Sequence, residues 1–224
     1  MAFMKKNNGK IIVIIFAILI GVSLVGSSIY WSFGGGGVTN YNGASQTQDA
    51  QNESNLISVI NAYKQALSKN PNDIKTTEDL ATYGYFALGN YYLQKGDSKK
   101  ANEQFALAIA EFDKVIKANP KNVAALGDMA TAQFYSGKVD DAIANAKKAL
   151  EIDPNFTNIR ANLGRYLAYG KNDYQGAIAE LKKIPSTDPN YQSVKGMIDE
   201  FSKSASSSTS GGQGGFTPKP GGGK

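Results

Sequence analysis

The 224-residue chain has no cysteine and no histidine. Disulfides, thiolate nucleophiles, imidazole bases and nearly all zinc and haem chemistry are thereby excluded, as is a lipoprotein-type cysteine anchor. Proline is scarce at seven residues, and tryptophan occurs once. Charge is missing altogether from residues 11–31, IIVIIFAILIGVSLVGSSIYW. The formal net charge of +5 suggests nucleic acid until it is divided along the chain. Residues 1–54 hold three lysines and two acids, 205–224 hold two lysines and no acid, and 55–204 hold 19 bases and 17 acids. A nucleic-acid footprint requires a basic stripe on the folded part. Here the excess lies partly in the ends, so no nucleic-acid partner is expected.

What is present is a spaced pattern of small and apolar residues. Over 123–154, Leu126, Met129, Ala130 and Phe134 make one helical face, and Ala142, Ala146, Ala149 and Leu150 make a second. Ser136-Gly137 breaks the first helix and Pro154 ends the second. Two such helices cannot bury both faces alone, so copies should flank them. Pro120 stands 34 positions before Pro154, and Pro189 stands 35 after it. Before these prolines the frame recurs as Ala108/Phe112/Val115, Ala142/Ala146/Ala149 and Ala177/Leu181/Ile184. First-helix marks recur as Tyr85/Leu88/Gly89/Tyr92, Leu126/Met129/Ala130 and Leu163/Gly164.

These marks resemble the tetratricopeptide repeat family over roughly 55–204. The resemblance implies an all-α, right-handed superhelical solenoid of antiparallel helix pairs. The expected units within 55–204 are a half repeat at 55–71, an extended repeat at 74–120, repeats at 122–154 and 156–189, and a capping helix at 190–203. Pro71 to Pro120 spans 49 positions, which is 34 plus 15. Anchored on Gly96-Asp97, this leaves eight extra residues around 74–81 and seven between Phe105 and Phe112. Both helices of that hairpin should be about two turns longer, near 77–95 and 98–118. The helices that follow are expected at 122–136, 139–152, 156–169 and 174–184, with one extra residue in the third turn near Lys171-Asn172.

The two ends read differently. A basic N-terminus (1–10, with Lys5, Lys6 and Lys10) precedes an apolar run long enough to span a bilayer, placing a transmembrane helix at 11–33 with its N-terminus in the cytoplasm. A cleaved signal peptide, with Val25-Gly26-Ser27 as its cleavage site, is the competing assignment. Either way the repeats are exported, in the anchored case as the extracytoplasmic part of a single-pass protein of the cytoplasmic membrane. Residues 34–54, rich in Gly, Asn, Gln and Ser, are expected to form a flexible stalk, and 205–224 a disordered Ser/Gly/Pro tail.

No residue set suits catalysis, a cofactor or a metal. The acid pairs Glu78/Asp79 and Asp140/Asp141 are expected at helix starts, where they favour the dipole. The resemblance instead implies a concave groove lined by the first helix of each pair. Position by position, the groove residues are Tyr83, Phe86, Asn90 and Leu93; then Ala124, Gly127, Asp128, Thr131, Phe134 and Tyr135; then Asn158, Ala161, Asn162, Arg165 and Tyr169. They imply a protein or peptide partner held by stacking and hydrogen bonds. Family members that grip acidic chaperone C-termini do so with a Lys/Asn set in these helices. Here Asn90 matches, but Phe86, Asp128, Asn158 and Asn162 depart from it, so that mode is not expected. The expected function is a membrane-anchored interaction scaffold, by analogy in envelope assembly, secretion or cytochrome maturation. A self-assembling envelope protein is the alternative.

Overall fold

The computed structural model describes residues 44–208, and within them every regular element is helical. α1 (Ala44–Lys69) leads into a continuous rod made of α2 (Ile74–Asp79), a π-helical segment π1 (Leu80–Phe86) and α3 (Ala87–Gln94). α4 (Ser98–Ala118) returns antiparallel to it. The second hairpin is α5 (Val123–Tyr135) and α6 (Val139–Ile152). The third is α7 (Thr157–Arg165), running into π2 (Tyr166–Gly170), followed by α8 (Tyr174–Leu181). α9 (Tyr191–Ser208) closes the series.

Short polar side chains start four of these helices. Asp73, Asp97, Asn122 and Asp173 each accept from the backbone N–H three residues on, at 2.8–3.1 Å. Such caps satisfy amides the helix itself cannot, and each contributes about 1 kcal/mol. The hairpin turns close through Gly96 (φ 77°), Gly137 (φ 81°) and Asn172 (φ 56°). This left-handed conformation costs a Cβ-bearing residue, which is why glycine holds two of the three places.

The core is a chain of three clusters rather than one centre, as expected when each unit touches only its neighbours. The first gathers Val59, Ile60, Tyr63, Leu80, Tyr85, Leu88, Phe105, Phe112 and Val115. The second is built on Leu126, Ala130, Ala142, Ala146, Ile159, Leu163 and Tyr166, the third on Ala177, Leu181, Ile184, Val194, Met197 and Phe201. Glycines set the spacing between helices. A Cβ at Gly89 would lie 2.6 Å from the Phe105 ring, and one at Gly164 would lie 2.9 Å from Leu181. Across the second and third hairpins, Gly127 lets Ile159 approach to 2.6 Å of where its Cβ would be.

The extra residues go into π turns. Seven residues are nearly two α-helical turns and preserve a face, whereas an eighth would rotate it by roughly 100°. α4 takes seven. The rod opposite takes eight and contains π1, whose wider turn absorbs one residue. The third repeat follows the same rule, because its single extra residue is taken up by π2 at the end of the first helix and not in the turn near Lys171-Asn172.

Other expectations are corrected too. Residues 44–54, expected as flexible stalk, belong to α1. No glycine or proline interrupts the chain from Ala44 to Asn70, and Tyr92 tethers this part by donating from its hydroxyl to Glu53 Oε1 at 2.6 Å. At the other end, α9 runs through 205–208, part of the expected tail. Glu78 and Asp79 do not start a helix; Asp79 pairs with Lys75, and Glu78 accepts from Asn122 Nδ2 at 3.0 Å. Asp140 and Asp141 do lie in the first turn of α6. The transmembrane assignment at 11–33 and the rest of the stalk and tail lie outside the described residues. Among the described residues, no helix is long and apolar enough to cross a membrane.

Candidate functional site: a groove across the first helices

The middle hairpin supplies the centre of the site. Asp128, Thr131 and Tyr135 fall at i, i+3 and i+7 on α5 and therefore share one face. The rod before and the helix after both reach this row. From the first hairpin, Thr82 Oγ1 donates to Asp128 Oδ2 at 3.3 Å, and Phe86 lies 6.4 Å from Tyr135, ring to ring. From the third, the Tyr166 hydroxyl meets Thr131 Oγ1 at 2.9 Å, and its ring stacks on Phe134 at 4.7 Å. Tyr135 also stacks on Phe105 at 5.8 Å and 21°, yet stays 43% exposed. An anchored ring with a free face can receive a ligand without losing much side-chain freedom.

Burial sets the electrostatics. Asp128 is half-buried, and desolvation holds its carboxyl above the usual range; Thr82 pulls it back down and Glu78 adds to the rise. The Tyr166 hydroxyl is pushed well above the ordinary tyrosine range by burial, so it acts as a neutral donor and acceptor. Arg165, next to it, donates from Nη1 to Asn162 Oδ1 at 2.6 Å. Arg160 is used elsewhere. It joins Glu180 at 2.8 Å and the Pro154 carbonyl at 2.6 Å, locking the start of α7 to α8.

The expected groove residues therefore separate into groups. Asp128, Thr131, Phe134, Tyr135 and Phe86 are brought together, with Asn162 and Arg165 on the third-hairpin side. Phe86 and Phe134 also pack against the core, and Leu93 belongs to the first cluster. Tyr169 is committed to the cap: its hydroxyl donates to Glu200 at 2.9 Å, its ring meets Phe201 edge-on at 5.3 Å, and burial followed by the Glu200 bond pushes its pKa up to about 12. Gly127 is an interhelix contact and not a groove position. Tyr83, 49% exposed, and Asn158 stand outside the cluster, and Asn90 is half-buried on α3. Sequence reasoning missed Thr82 and Tyr166. Both belong to or begin a π segment, where the repeat frame is displaced by the extra residue.

The architecture defines an all-helical solenoid of helical hairpins whose first helices together carry this cluster. Residues 93–155 and 133–198 match family models of the tetratricopeptide repeat. Residues 93–198 thus carry tetratricopeptide repeats, as the frame of small and large residues implied. Among curated proteins it is similar to the Hsp70-Hsp90 organizing protein of Triticum aestivum, 24% identical over 119 residues, with 48% of this chain and 20% of the relative covered. Hsp70-Hsp90 organizing protein 3 of Arabidopsis thaliana is 26% identical over 110 residues, covering 44% and 20%. The chain thus spans about a fifth of the length of these relatives. Of solved structures, MamA aligns with a TM-score of 0.48 and 19% identity over 75% of this chain and 92% of its own. A tetratricopeptide repeat protein from Parabacteroides merdae aligns at 0.48 and 16%, covering 73% and 60%.

Proposed function

We propose that this protein is an interaction scaffold that holds a peptide segment of another protein across the first helices of its hairpins. The observation that carries the reading is the row Asp128–Thr131–Tyr135. It joins a carboxylate, hydroxyls and an exposed ring into one surface touched by three successive units. A preformed surface of this kind binds with little loss of conformational freedom. The apolar run at 11–33 supports a second element, a membrane tether with the repeats on the extracytoplasmic side. A tether would raise the local concentration of partners along the membrane. The work is binding and not catalysis in this reading, and it needs no cofactor.

One feature favours a foreign partner over end-to-end assembly of copies. The outer face of α9 exposes Gln192, Lys195, Asp199 and Lys203, a polar surface of the kind that terminates a solenoid. In-cell photocrosslinking tests the reading. A discrete partner captured from Tyr135 and Arg165, but not from Lys148 on α6, is the expected result. Capture of the protein's own chain alone, or equal capture from Lys148, would overturn it.

A further inference from the structure

The inference here rests on the groove reading and concerns the chemistry the groove selects. Asp128 has Thr82 as its side-chain partner, and no ion pair forms at it among the described residues. Glu78, the acid that acts on it, is itself engaged, accepting from Asn122. The partly buried Glu180, by contrast, holds both Arg160 and Lys183. A desolvated carboxylate without a cation is costly and gains strongly from one that arrives with a ligand. Tyr135 lies seven residues further along the same face, about 10 Å away by helical rise. Its free face suits an apolar side chain or the stem of a long basic one.

We propose that the groove takes an extended segment of a partner protein that places a lysine or arginine on Asp128 and an apolar side chain against Tyr135. The chemistry is opposite in sign to that of an acidic tail. A carboxylate on the ligand would meet Asp128 with Glu78 behind it and would be repelled.

The test is panning of a random peptide library on the full chain, followed by fluorescence anisotropy of the enriched peptides. Expected is enrichment of lysine- and arginine-bearing sequences. Their affinity should fall about tenfold or more in Asp128→Asn, and substituting glutamate for the basic residue should abolish binding to the natural protein but restore it to Asp128→Lys. Enriched peptides that lack a basic residue, or that ignore Asp128→Asn while failing on Tyr135→Ala, would overturn the charge assignment and leave the groove intact. Peptides indifferent to both variants, or no enrichment at all, would overturn the groove reading and this inference with it. Basic peptides that bind only after removal of 209–224 would make the chain's own tail the occupant and overturn the assignment to a partner.

Discussion

The first and second hairpins solve the same packing problem with opposite materials. Where α3 meets α4, a glycine faces the largest side chain of the contact: Gly89 lies under Phe105, which is fully buried. At the same places of the second hairpin stand Ala130 and Ala146, both fully buried. The third hairpin returns to the first solution with Gly164 and Leu181. In each pair at least one partner is glycine or alanine, which lets the two helices approach closely. The difference has a consequence at the groove. Phe105 is large enough to reach past its own hairpin and support Tyr135, whereas alanine supports nothing beyond its contact.

That comparison can be broken most severely at Phe105. Phe105→Ala should cost about 4 kcal/mol in urea unfolding, because it empties a filled site and frees both Phe86 and Tyr135. Ala146→Gly, the corresponding loss in the second hairpin, should cost only about 1 kcal/mol, mostly helix propensity. A loss of similar size is expected at Gly89→Ala. Overpacking of about 2 kcal/mol opposes a helix-propensity gain of about 1 kcal/mol, for a net loss near 1 kcal/mol. Adding Phe105→Leu should recover part of the overpacking in a double-mutant cycle; strict additivity would show that the two residues do not share one volume.

The turns sharpen the comparison on a finer scale. Gly137→Ala should destabilise by about 1 kcal/mol, since its φ of 81° penalises any Cβ. Asn172→Gly should stabilise by about 0.5 kcal/mol, making the third turn like the other two. Thermal unfolding of both variants checks the pair of signs.

An effect as small as that at Asn172 is expected at Asp128. Its pKa is raised by burial in the folded state, so the ionised form is disfavoured there. Stability from this group therefore increases as pH falls through the raised folded value towards the unfolded one, and the benefit is absent at neutral pH. Asp128→Asn should accordingly stabilise by about 0.5 kcal/mol at pH 7 and less as the solution is acidified. Urea titrations of both proteins across that range would show it. A constant difference would mean that Thr82 and the local packing, not desolvation, dominate at this position.

Much of the solenoid was legible because it is written in short-range spacing. Alanine and glycine marks at fixed offsets, with a breaker and a proline to end each helix, located α4 and α6 to the residue and the other repeat helices closely. The candidate site was legible in outline for the same reason, since first-helix positions share a face once the frame is known. Asp128, Thr131, Tyr135 and Phe86 met as the frame implied, whereas Tyr169 turned to the cap and Gly127 to its neighbour. Those two outcomes depend on what the adjacent unit offers, and a single helix does not contain that information.

Period and composition are local properties, so helical hairpins in series and the absence of cysteine and histidine chemistry can be read from the residues in order. Where the surplus residues go and how far the helices extend depends on packing between units. The π turns at Leu80–Phe86 and Tyr166–Gly170 arise because packed faces must stay aligned while the chain carries one residue too many for an α-helical turn. That residues 51–54 are helical goes with a contact from far along the chain, the Tyr92 hydroxyl to Glu53. An isolated Asn/Gln-rich segment gains too little from its own hydrogen bonds to order itself, and it becomes a helix when another helix supplies the rest.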